Sequence, residues 1–114
     1  MYNLEKRTSD FGIKIISLCK SIKINIINKN TINQVIRSGT SIGANYHEAN
    51  DSSSKRDFKN KIFICKKETN ETKYWLKMLY SSELDNRVEI QKLYQESQQL
   101  NMIFQKIVNS LNKK

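Results

Sequence analysis

Residues 31–51, TINQVIRSGTSIGANYHEAND, read as one helix with two unlike faces. Ile32, Val35, Ile36, Gly39, Ile42, Tyr46 and Ala49 recur at helical spacing and form the apolar one. Gln34, Arg37, Ser41, Asn45 and Glu48 form a narrow polar stripe on the other side. A solvated face in so lysine-rich a chain would carry lysine, so a stripe of Ser and Asn predicts a neighbouring backbone or side-chain network. Gly39 and Gly43 stand one turn apart and each costs about 1 kcal/mol of helix propensity relative to alanine. Close approach of another helix explains them. Thr31 with Gln34 has the form of a capping box, so the helix is expected to start there. It runs out in NDSSS, whose side chains compete for backbone hydrogen bonds.

The same periodicity extends outward. Leu4, Thr8, Phe11, Ile15, Leu18, Cys19 and Ile22 predict a helix from about residue 3 or 9 to 23, with a break across KINIINKN (23–30). Ser54, followed by Asp57, predicts an N-cap and a third helix from about 55, the carboxylate complementing the helix dipole. Phe58, Ile62, Cys65, Thr69, Thr72, Leu76 and Leu79 make its buried stripe, which ends near SSELDN. Ile90, Leu93, Ser97, Leu100, Phe104, Ile107 and Leu111 share one face of a fourth helix. Four amphipathic helices with short connections and no strand alternation predict an all-α fold. The expected arrangement is an antiparallel up-down-up-down four-helix bundle, with residues 1–114 as a single domain.

Composition narrows the function classes. The 114 residues include no proline and three glycines, so no flexible linker is expected. No apolar run approaches the roughly 20 residues that span a bilayer, and MYNLEKRTSDFG lacks a signal-peptide pattern. A cytoplasmic protein with no membrane partner is the expectation. The two cysteines lie in helical segments without Cys-x-x-Cys spacing and read as buried free thiols. A formal net charge of +9 has two readings: an anionic partner, or the lysine, asparagine and isoleucine usage of an AT-rich genome.

Chemistry for catalysis is sparse. The one histidine, His47, adjoins Glu48, but sequence neighbours on a helix do not face each other. Glu68 and Glu71 share a face, yet the Glu-x-x-His motif of a di-metal bundle is missing. No catalytic residue, metal or cofactor is expected, and ion pairing of Glu48, Asp57, Glu68 and Glu71 with Arg37, Lys61 or Lys67 is the better use of these charges.

Helix three has a second non-solvent row, Asp57, Lys61, Ile64, Glu68, Glu71 and Trp75, whose mixture of charge and aromatic suits an interface. With Arg37, Gly39, Ser41, Gly43, Asn45 and Glu48 of helix two, these residues are the candidates for contact between copies in a homo-oligomer. Lys55, Lys59, Lys66, Lys73 and Lys77 align in a narrow arc, with Arg56 and Lys67 beside it. Repeated around an assembly, they would bind RNA or DNA phosphates without reading sequence.

RSGTSIGANYHEANDSSSKRDFKNKIFICKKETNETKYWLKML, residues 37–79, resembles the signature of the four-helix-bundle proteins related to the 23S rRNA intervening-sequence protein. Arg37, Ser38, Gly39, Ser41, Gly43, Asn45, Glu48 and Ala49 carry its first part. Ser54, Asp57, Phe58, Lys67, Glu68, Trp75 and Leu76 carry the rest. Cys65 stands where that family more usually has alanine, and His47 where it often has a longer cation. The resemblance implies a homopentamer packed as a ring. It also implies a link to RNA, or to an accessory role beside a nucleic-acid-processing protein such as a reverse transcriptase. The combined expectation is a non-catalytic homo-oligomeric scaffold with a basic surface for RNA or DNA; the alternative is a protein-binding adaptor with no direct nucleic-acid role.

Overall fold

The computed structural model describes residues 3–113, so residues 1, 2 and 114 of the expected domain lie outside it. Four α-helices follow one another: α1 (Leu4–Lys20), α2 (Lys29–Asn50), α3 (Lys55–Ser82) and α4 (Arg87–Leu111). A short 3₁₀ turn at Leu84–Asn86 leads into α4. The longest helix, α3, has 28 residues, roughly 42 Å at 1.5 Å per residue. It sets the long dimension of a body measuring 48 × 20 × 20 Å.

Each helix buries the stripe that its periodicity marks out. Leu4, Thr8, Phe11, Ile15, Leu18, Cys19 and Ile22 are buried on and just beyond α1, and Ile62, Cys65, Thr69, Thr72, Leu76 and Leu79 on α3. Phe58, Ile36 and Tyr46 pack against the core but are only partly buried. On α4 the buried face is rotated from the expected one: Ile103 and Val108 are inside, whereas Ile107 is partly buried. Hydroxyls within this core are satisfied locally. Thr8 donates to Leu4 O, Ser38 to Gln34 O, Thr69 to Cys65 O and Ser97 to Tyr94 O. A buried hydroxyl bonded to its own helix carries little desolvation cost and is small enough to let helices approach.

Two helix starts turn out differently. Ser54 caps α3 as expected, its side chain accepting from Asp57 N at 3.0 Å. The expected Thr31 cap is wrong: α2 begins at Lys29, and its N-cap, Asn28, makes no side-chain cap bond. Asn28 is fully buried instead. Its Oδ1 accepts from Asn25 N, and its Nδ2 donates to Lys23 O and Glu83 Oε2. Asn25 Oδ1 in turn accepts from the amides of Ile27 and Asn28. The KINIINKN connection is thus a hydrogen-bonded turn tied to the α3–α4 connection, and the helix starts where that network ends.

The contacts between α1 and α2 ascend in one helix as they descend in the other. A Cβ placed on Gly43 would lie 3.3 Å from the Thr8 backbone, and one on Gly39 would lie 2.9 Å from Ile15 Cγ1. Gly12 faces Thr40 with more room, 3.6 Å from its Cα. The glycines of α2 are therefore explained within the chain: they are the surface on which α1 sits.

Gly39→Ala is expected to lower stability by about 1–3 kcal/mol, because overpacking against Ile15 outweighs the helix-propensity gain. Gly12→Ala, whose new methyl makes ordinary contacts, should be neutral or stabilising by up to ~1 kcal/mol. Urea denaturation followed by circular dichroism reads both; equal effects of the two substitutions would show that α1 does not press on α2 at Gly39.

Candidate functional site

The polar stripe of α2 and the mixed row of α3 meet each other inside the chain. Arg37 reaches across to two carboxylates of α3: its guanidinium lies 3.2 Å from Glu68 Oε2 and also donates to Glu71. Gln34 Oε1 accepts from Arg37 Nε and fixes the fork. Beneath it, the Thr72 hydroxyl donates to Ser38 Oγ at 2.9 Å, in the buried layer. Cys65 Sγ lies 3.7 Å from Ile42 O. Toward the far end Lys61 Nζ donates to Glu48 at 2.8 Å. Residue numbers fall along α2 as they rise along α3, and the pairs form one continuous seam.

The interface candidates can now be placed individually. Arg37, Glu48, Lys61, Glu68 and Glu71 are paired with one another across the seam. Ser41 donates to Arg37 O and Asn45 to Ser41 O, so both satisfy α2's own carbonyls. Gly39 is buried, and with Gly43 it faces α1 of the same chain rather than outward. Asp57 sits in the first turn of α3 behind the Ser54 cap. Ile64 is exposed, and Trp75 packs partly against the core while meeting the Tyr74 ring edge-on at 5.0 Å. Ile64 and Trp75 are thus the apolar residues the row presents outside the seam.

Electrostatics within the seam are asymmetric. Partial burial raises the Glu68 carboxyl above the usual range, and its hydrogen bond with Glu71 adds to this. The hydrogen bond from Arg37 holds Glu71 below that range. Lys61 does the same for Glu48. A chain of two neighbouring carboxylates under one guanidinium is stable because the arginine is there. Removing it leaves like charges adjacent.

The seven cations proposed for phosphate contact stand in a different condition. Lys55, Arg56, Lys67 and Lys77 are exposed and Lys59, Lys66 and Lys73 half-exposed along α3. Among the described residues, all seven lack a salt bridge or side-chain hydrogen bond, whereas Lys61 on the seam side is paired. The helix therefore sorts its cations: toward α2 they are neutralised, and away from α2 they face solvent.

Chemistry elsewhere is limited. His47 Nδ1 lies 3.8 Å from Glu5 on an exposed surface, while Glu48 turns to Lys61. Among the described residues no group of three His, Cys, Asp or Glu side chains is placed to hold a metal ion. Burial pushes the Cys19 thiol up to about 11 and the Cys65 thiol up to about 12. A contact that sequence reasoning missed joins α1 to α4: Arg7 donates to both oxygens of Glu96 (2.7 and 2.8 Å) and to Gln99 Oε1. Its partners are 89 and 92 residues apart in sequence, so no local pattern announces them.

Comparison with known proteins agrees with this architecture. The family model described as 23S rRNA-intervening sequence protein matches residues 2–106. A solved structure is similar over 91% of this chain and 96% of its own, with a TM-score of 0.78 and 34% sequence identity. It is a protein of unknown function from the S23 ribosomal protein family of Bacteroides thetaiotaomicron VPI-5482. No curated protein matches. Among the described residues no helix is long and apolar enough to cross a membrane.

Arg37→Ala should destabilise the fold at pH 7 by roughly 0.5–1 kcal/mol, the range for a partly exposed pair network. Glu71 binds its proton less readily in the folded chain, so its contribution is present above the ordinary carboxylate pKa and fades as pH falls. In the variant, acid protonates Glu68 and relieves the repulsion, so the gap to the parent should narrow below about pH 4.5. A gap that widens in acid would contradict the pairing. Both thiols should also resist a disulfide reagent at pH 8 in the folded protein and react at once in denaturant; rapid native labelling of either would place it outside the core.

Proposed function

The chain belongs to the 23S rRNA-intervening sequence protein family, and from that premise we propose that it is a non-catalytic cytoplasmic scaffold whose α3 face binds RNA or DNA. Binding in this reading is non-specific, through phosphates. The row of Lys55, Arg56, Lys59, Lys66, Lys67, Lys73 and Lys77 carries it, since seven cations without a salt bridge or side-chain hydrogen bond on one helix, of which Lys67 acts on the nearby Glu71 charge, cost self-repulsion that a polyanion would relieve. The alternative origin of the charge, genome composition, gives no reason for cations to be paired on one side of α3 and unpaired on the other.

The chain is read as one domain, an antiparallel up-down-up-down bundle. The opposed contact series of α1 with α2 and of α2 with α3 support that topology. Copies assemble as a homo-oligomeric ring, five in number by the family resemblance. Ile64, Trp75 and the outer edges of Asp57, Glu68 and Glu71 are the contact between copies. Assembly multiplies the lysine row, so that weak single contacts add up to useful affinity.

Charge reversal at Lys59, Lys66 and Lys73 is expected to abolish binding of labelled single-stranded RNA and duplex DNA in anisotropy titrations, with assembly intact. The parent's affinity should fall linearly on a log–log plot against salt, with a slope of several released counterions. Trp75→Ala should yield smaller species on sizing with light scattering. Unchanged binding in the reversed variant would remove the nucleic-acid role and leave the adaptor reading, in which a nuclease-treated lysate yields one stoichiometric protein partner.

A further inference from the structure

Beside the lysine row, the outermost stripe of α3 carries two exposed aromatics. Phe63 is 43% and Tyr74 55% solvent-exposed. They stand eleven residues apart, about three helical turns, so both project from the same stripe roughly 16 Å from each other. Lys66, Lys67 and Asn70 fill the interval, and together these side chains line a shallow groove of about 610 Å³. The groove's far wall is Glu71 and Trp75, the edge it shares with the proposed contact between copies, and the Trp75 ring meets Tyr74 at 77° and braces it. Both aromatic rings are thus held open to water with cations between them.

Charge selects the occupant of this groove. Lys66 and Lys67 give the open side of the groove a positive charge in a protein of net charge +9, while Glu71 at its wall is already paired with Arg37. A polyanion meets those lysines with the opposite sign. The aromatics then discriminate among polyanions: a duplex keeps its base faces within its own stack, whereas a single strand presents them. Asn70 adds an amide that can donate to and accept from a base edge.

The geometry points to a single-strand-selective site, in which two bases stack on Phe63 and Tyr74 while Lys66 and Lys67 hold the phosphates between them. This rests on the nucleic-acid reading above and adds to it the form of the strand. Trp75 is the chain's single tryptophan, so its emission should also respond when a base stacks on its neighbour.

The test uses the full chain with three probes of equal length: labelled oligothymidylate, the same strand paired as a duplex, and an abasic oligomer that keeps the phosphates. The single strand is expected to bind at least tenfold more tightly than either of the others. Phe63→Leu and Tyr74→Leu, which keep apolar volume but remove the ring, should each weaken single-strand binding by about tenfold. Abasic binding and the salt slope should be unaltered. If the three probes bind equally and both variants match the parent, the strand selectivity falls while phosphate binding stands. If none of the probes binds, both readings fall. If the variants change the sizing profile but not single-strand affinity, the stripe is a contact between copies and the site is refuted.

Discussion

Arg37, held between Glu68 and Glu71 across the α2–α3 seam, fixes much of what the rest of the molecule can do. Its worth is not chiefly energetic. A partly exposed ion-pair network contributes under about 1 kcal/mol, less than the 1–3 kcal/mol at stake in overpacking one core position. The core of Phe11, Ile15, Ile42, Leu76, Leu100 and Phe104 holds the chain folded, and the seam sets register. With Thr72 on Ser38 beneath it and Lys61 on Glu48 at the other end, α3 has one rotational setting relative to α2. That setting turns the α3 lysine row away from α2.

Small residues make the setting possible. Gly39 and Gly43 admit α1 on one side of α2, and Ser38 admits α3 on the other. A longer side chain at Gly39 meets Ile15, and one at Ser38 would displace Thr72. The stretch that withholds lysine does so because α2 is covered on two sides by its own chain. Seen from the sequence alone, the same feature reads equally well as a surface awaiting a second copy.

That ambiguity marks where the sequence stops being informative. Helix number and most buried positions follow from a 3.6-residue period, which survives in any helix that packs on one side. The pairing of Arg37 with α3 carboxylates and of Lys61 with Glu48 on α2 was also legible, because matching stripes of opposite charge lie on consecutive helices. The start of α2 was not: Thr31 has the right local chemistry, but a buried Asn28 tied to Glu83 decides the boundary, and its partner is 55 residues away. Arg7 with Glu96 escaped for the same reason. Phe63 and Tyr74 went unread, because a search of α3 for a core stripe, a lateral row and a lysine arc passes over the outer positions that their eleven-residue spacing shares.

Lysine footprinting by acetylation and mass spectrometry, with and without a single-stranded oligonucleotide, tests most directly the claim that α3 sorts its cations by function. The account predicts protection of Lys59, Lys66, Lys67 and Lys73. Lys6, Lys14 and Lys92, on α1 and α4, should label unchanged, and Lys61 should stay indifferent to the ligand behind its pair with Glu48. Protection spread evenly over all lysines, or concentrated on α1 and α4, would contradict it.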